Sequence, residues 1–171
     1  MLRAIGAILI ILACASFGFL AERRLSLRIR ALSSILPALE ILKAEIGNLL
    51  TPIPEAFLFL SCNAAAPASA LFSETYEALA KGGESFADAF SGVLREKAAK
   101  SGFYPEDAAV LNELSPVLGR YGAEEQSAKL KQVICRLEEA RTKACEDHDQ
   151  RGRLYKTMGI MLGIVLVLVT L

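Results

Sequence analysis

The sequence predicts an all-α protein, a compact five- to six-helix bundle flanked by N- and C-terminal membrane helices. Three observations lead there. Apolar positions recur at spacings of three and four through most of the chain, and no segment sustains the period-two alternation of a strand. Uncharged apolar runs occupy both ends, Ala4 to Ala21 and Thr157 to Leu171. Between them, glycines, prolines and capping residues divide a polar middle at short intervals.

The order expected is an N-terminal transmembrane anchor over 1–21, a cytoplasmic helical domain over 22–156 and a C-terminal membrane anchor over 157–171. As a helix rising about 1.5 Å per residue, the front run reaches about 27 Å, close to a hydrocarbon core of about 30 Å. The back run is short for a full span. Tyr155 and Lys156 could hold it at the interface of a locally thinned bilayer, and a re-entrant anchor stays open. Arg23, Arg24, Arg28 and Arg30 follow the first run, while Arg151, Arg153 and Lys156 precede the second, so the middle is expected in the cytoplasm. A cleaved signal peptide is the competing reading, with Arg3 as basic region, Ala13 and Ala15 as cleavage site, or Cys14 as a lipoprotein cysteine. The apolar run continues past Cys14 into the arginine cluster, a stop-transfer pattern that favours an uncleaved anchor.

Leu25, Ile29, Leu32, Ile35, Leu36, Leu39, Leu42, Ile46, Leu49 and Leu50 mark one amphipathic helix continuous with the first anchor. Pro37 predicts a kink or break near Ser33 and Ser34, because it lacks an amide hydrogen and its ring clashes with the preceding turn. In Thr51-Pro52-Ile53-Pro54-Glu55, Thr51 is expected to cap, a proline to take the first turn and Glu55 to favour the helix dipole. That helix runs to about Cys62. A third follows from Ala68 to Ala80, ended by Lys81-Gly82-Gly83. A fourth starts at Glu84, Ser85 or the preceding glycine and turns Phe86, Ala89, Phe90, Val93 and Leu94 inward, until Ser101-Gly102 stops it. The fifth opens at Tyr104-Pro105-Glu106-Asp107, carries Val110, Leu111, Leu114, Val117 and Leu118, and loosens at Pro116. Gly119 and Gly122 bracket the turn to a last helix, which begins near Ala123-Glu124-Glu125 and continues into the second anchor with Gly152 as its soft point.

Composition narrows the chemistry. The chain is 53% hydrophobic and 22% charged with a formal net charge of zero. Arg3 is the only charge outside 22–156, leaving 18 basic and 19 acidic residues in the middle, which is no footprint for nucleic acid. Cys14, Cys62, Cys135 and Cys145 include no C-x-x-C pair, and His148 is the single histidine, so neither a zinc site nor a disulfide framework is expected. Reduced thiols packed as small apolar groups are expected instead. No P-loop occurs, and no cofactor is expected. His148, in the charged run Glu146-Asp147-His148-Asp149, reads as part of a solvated helical face rather than as a catalytic base. Glu138 with Glu139, and Glu40 with Glu45, read as surface charge.

Several stretches carry a resemblance along essentially the whole length. These are the Arg-Arg-Leu flank of the first apolar run, Leu39-Glu40-Ile41-Leu42-Lys43-Ala44-Glu45-Ile46, and Thr51-Pro52-Ile53-Pro54-Glu55-Ala56-Phe57. Leu118-Gly119-Arg120 with Gln126, and Leu154-Tyr155-Lys156-Thr157-Met158-Gly159, complete them. Together they resemble the stage III sporulation protein AB family, with a departure at Tyr121, Gly122 and Ala123, where a polar residue and a nearby aspartate are usual. The resemblance implies a fold similar to the cytoplasmic domain of the type II secretion inner-membrane platform protein. It implies a non-enzymatic platform or scaffold subunit of a secretion-like channel complex between mother cell and forespore, required for endospore formation. Its place would be the mother-cell membrane surrounding the forespore. The implied partners are the family's ATPase, stage III sporulation protein AA, other channel subunits and membrane lipid.

Glu40, Glu45, Thr51, Pro52, Pro54 and Glu55 are the candidate partner-binding residues, because they carry family-like residues near a helix junction. Capping and solvated charge explain the same residues structurally. Gly159 and Gly163 are spaced for close helix packing, either in a homo-oligomer or against the first anchor with its Gly6, Ala7, Cys14 and Gly18. The alternative function is a self-associating membrane structural protein that acts through its spans without an ATPase partner.

Overall fold

In the computed structural model, which describes the backbone of residues 2–82 and 85–170 and the side chains of 22–82 and 85–149, the described residues form six α-helices and no strand. They are α1 (Leu2–Gly47), α2 (Ile53–Asn63), α3 (Ala68–Ala80), α4 (Phe86–Lys97), α5 (Pro105–Asn112) and α6 (Ala123–Thr170). The chain divides into two compact units. One comprises Leu27–Thr142; the other pairs Met1–Ser26 with Lys143–Leu171. Among the described residues no helix is long and apolar enough to cross a membrane. The side chains of both apolar runs lie outside the described ones, as do those of Gly159 and Gly163.

Of the kink or break expected at Pro37, the break does not occur, and α1 passes through it. A mid-helix proline costs about 3 kcal/mol. Against that, Leu32, Ile35 and Leu36 before it and Leu39, Leu42 and Ile46 after it are all buried, each contributing about 1.5–3 kcal/mol. Burial on both sides of the proline therefore outweighs its cost. Pro37 itself is exposed, where water can satisfy the carbonyl it frees. Behind it, the buried Ser34 hydroxyl donates to the Ala31 carbonyl at 2.8 Å and accepts from the Ala68 amide at 3.3 Å, joining α1 to the start of α3. Gly152 likewise lies inside an uninterrupted α6.

Helices α2, α3 and α4 meet at Phe57. Its fully buried ring packs edge-on against Phe72 at 5.1 Å, Phe86 at 5.2 Å and Phe90 at 5.9 Å. Ser85 caps α4, its hydroxyl accepting from the Asp88 amide. α5 ends at Asn112, earlier than the apolar pattern to Leu118 implies. Glu113, Leu114 and Ser115 donate three residues back, to Val110, Leu111 and Asn112, so the helix tightens into turns before Pro116, whose missing amide hydrogen stops an α-helical ladder. Leu114 and Leu118 are buried nonetheless. Of the described cysteines, Cys62 and Cys135 are exposed rather than packed inside, and Cys145 is half-buried.

A buried ion pair ties α1 to α5. Arg28 Nε and Nη2 donate to the two carboxylate oxygens of Asp107 at 2.8 and 2.7 Å, and Asp107 also accepts from the Tyr104 amide at 3.1 Å. The guanidinium lies over the Tyr104 ring, 4.4 Å from its centre. Hydrogen bonding to Asp107 raises the Arg28 pKa further above its ordinary range, against the opposing effect of burial. Beside this pair, Gly102 (φ +93°) presses on α1 so closely that a Cβ would stand 2.8 Å from the Leu27 carbonyl oxygen. Only glycine meets both conditions. Further along, Glu113 accepts from Lys129 at 2.8 Å and from Arg136, anchoring the turns after α5 to α6.

Two outcomes are expected. Asp107→Ala leaves the half-buried Arg28 guanidinium without its bidentate partner and lowers unfolding free energy by about 1–3 kcal/mol, while replacing both partners by leucine costs less; urea titration of the full chain in detergent reads both. Lys129 and Arg136 hold the Glu113 carboxyl below its ordinary range. A depressed carboxylate stabilises above its unfolded pKa, about 4.3, and this is lost as pH falls through the lower folded value. The Tm advantage of wild type over Glu113→Gln is therefore present at neutral pH and closes below about pH 4, by thermal melts across that range.

Candidate functional site

The α1–α2 junction gathers five of the six candidate partner-binding residues. α1 closes after Gly47, with Asn48 N–H donating to the Ala44 carbonyl at 2.9 Å and Thr51 N–H reaching back to the Glu45 carbonyl at 3.0 Å. The Thr51 hydroxyl then donates to the Glu45 carboxylate at 2.7 Å. Thr51 therefore does not cap α2 as expected. Pro52 occupies the N-cap position with no side-chain bond, and Pro54 and Glu55 take the first turn. The threonine is spent on α1 because two prolines already remove amide donors that a cap would satisfy.

Glu40 stands apart. It lies five residues before Glu45, about 140° around the helix, and pairs with Lys43 on an exposed face. Pro52, Pro54 and Glu55 are exposed, while Glu45 and Thr51 are half-buried. The braced turn thus presents Pro52, Pro54 and Glu55 to solvent, while Glu40 lies on another face of α1.

Leu49 and Leu50 were expected to continue the buried stripe of α1, and the structure overturns this: they are 67% and 71% exposed. The helix ends at Gly47, so the periodicity that would have turned them inward lapses two residues too early. Leu50 adopts φ +54°, a left-handed conformation unusual for leucine. The pair Gly47-Asn48, a C-terminal signal, is the sequence feature that points to this end.

The turn before α6 adjoins the same junction. A Cβ on Gly119 would stand 3.8 Å from Ile53, and one on Gly47 would stand 3.4 Å from the Ser127 hydroxyl. The buried Gln126 amide holds this turn, accepting from the Gly119 N–H at 3.3 Å and donating to the Tyr121 carbonyl at 2.6 Å. Tyr121 is exposed.

One arrangement has the residue types of a hydrolase. Ser26 Oγ lies 3.3 Å from His148 Nε2, and His148 Nδ1 lies 3.9 Å from Asp149. His148 is half-buried against α1 rather than fully on a solvated face. The geometry does not make a nucleophile. At 3.9 Å the Asp149 contact is no hydrogen bond, and that carboxylate is 90% exposed. Ser26 lies in mid-helix, where neighbouring amides are committed to the ladder and cannot form an oxyanion hole. Among the described residues no group of three His, Cys, Asp or Glu is placed to hold a metal ion.

The contrast between the two glutamates is testable. Glu45→Ala removes the Thr51 bond, lowers stability by about 1 kcal/mol and speeds proteolysis within 48–52; Glu40→Ala changes stability by less than about 0.5 kcal/mol. Limited proteolysis with urea titration reads both.

The comparisons with known proteins point to one family. The family model described as stage III sporulation protein AB matches residues 3–171. Stage III sporulation protein AB of Bacillus subtilis (strain 168) is 27% identical over 168 residues, covering 98% of both chains. A solved structure of a stage III sporulation protein AB aligns with a TM-score of 0.65 and 26% identity, over 71% of this chain and 96% of that one. A match that runs unbroken through the braced junction and both long helices leaves one conclusion: the chain belongs to the stage III sporulation protein AB family.

Proposed function

We propose that this member of a sporulation family is a non-enzymatic, membrane-anchored platform subunit of the channel complex between mother cell and forespore. It docks the sporulation ATPase, stage III sporulation protein AA, from the mother-cell membrane, with its helical domain in the mother-cell cytoplasm. Both terminal apolar runs and the exposed Arg23, Arg24 and Arg30 support the anchoring. Arg28, first counted among those flanks, is committed to Asp107.

One observation carries the reading: the buried polar side chains of the described residues are all engaged in holding the fold. Ser34 and Thr75 bond α-helical carbonyls, Asp107 holds Arg28, Ser115 joins Ser91 and Asn112, and Gln126 holds the 119–121 turn. No inward-facing chemistry is left over for a substrate, so what the domain offers a partner is surface.

The test mixes full-length protein in detergent with the sporulation ATPase and follows binding and ATP hydrolysis together. Saturable binding with a changed hydrolysis rate is expected. No binding by folded protein would overturn the docking reading and favour a scaffold acting through its spans.

A further inference from the structure

The α1–α2 junction leaves Leu49 and Leu50 in solvent, and the turn before α6 leaves Tyr121 55% exposed. The two turns approach each other where Gly119 faces Ile53 and Gly47 faces Ser127. Leu50 is the informative member. A left-handed backbone favours glycine or asparagine over leucine. This leucine buries little. The bonds from Thr51 to Glu45 hold that backbone, so the Leu50 side chain stands in solvent on a braced turn.

Charge indicates what covers the surface. Residues 45–55 and 119–126 carry four carboxylates, Glu45, Glu55, Glu124 and Glu125, against one cation, Arg120. Glu45 is turned to Thr51. The exposed Glu55, Glu124 and Glu125 stand in the first turns of α2 and α6 and make no salt bridge among the described residues. A second copy presenting the same end would set carboxylates against carboxylates, and an anionic lipid surface would be repelled.

We infer that Leu49, Leu50 and Tyr121, rimmed by Glu55, Glu124 and Glu125, form the docking tip for a protein partner that presents an apolar pocket framed by lysine or arginine. The inference rests on the docking reading above and names the surface that performs it. The apolar centre supplies affinity by leaving water, and the rim speeds encounter and rejects acidic partners.

The test uses full-length protein in detergent with the sporulation ATPase as probe. Leu50→Asn suits the left-handed backbone while removing the apolar side chain. Combined with Tyr121→Ser, it is expected to weaken binding at least tenfold without lowering Tm. Glu124→Lys with Glu125→Lys is expected to weaken binding comparably and to flatten its dependence on salt. Leu58→Ser, at an exposed apolar position elsewhere on α2, should bind as wild type does. If the tip variants bind within twofold of wild type, the tip assignment is overturned and the platform reading stands. If wild type itself does not bind the ATPase, both fall.

Discussion

The bond between Arg28 and Asp107 sets where α1 meets the rest of the domain. Its partners are 79 residues apart in sequence, and one carboxylate satisfies two guanidinium hydrogens and the Tyr104 amide together. Such a buried pair adds little net stability over a well-packed apolar contact, since both charges must leave water. Its effect is on register. A planar guanidinium over Tyr104 admits one rotation of α1, and Gly102 against the Leu27 carbonyl, one residue earlier, admits one distance. A long helix with a broad apolar face could otherwise slide by a turn and still bury leucines.

That fixed register reaches the α1–α2 junction. With α1 held at Arg28, and its buried positions from Ala31 to Ile46 set against the core, the end at Gly47 falls beside Ser127 in the first turns of α6. The chain then leaves through a left-handed Leu50, and Thr51 clamps it to Glu45 by main chain and side chain. The turn is braced by bonds local to itself. It presents prolines, a free carboxylate and apolar side chains from a rigid base, which lowers the entropy lost when a partner orders them. Gln126 does the same for the adjoining turn.

Much of this was legible in the chain. The third helix runs from Ala68 to Ala80 as its glycine boundary predicts, and Phe90, Leu94, Leu111, Leu114 and Leu118 are buried as their spacing requires. Two readings depended on more than local rules. Core burial carries α1 through Pro37 without a break, and Thr51 finds a glutamate six residues back in place of the helix it precedes. Pro116 acts as local rules predict, with the end of α5 loosened into turns around it.

Of the candidate residues, Glu40 lies on another face of α1 than the five at the junction, and Leu49 and Leu50, assigned to the core by period, stand outside it. The sequence by itself determined the helical class, most boundaries, the identity of the core and the family, because apolar period, proline, glycine and caps act within a few residues. Only the tertiary structure decided that Asp107 meets Arg28, that a left-handed leucine faces solvent, and that the 119–121 turn lies beside the α1–α2 junction. Those depend on contacts between residues tens of positions apart, whose geometry no local pattern encodes.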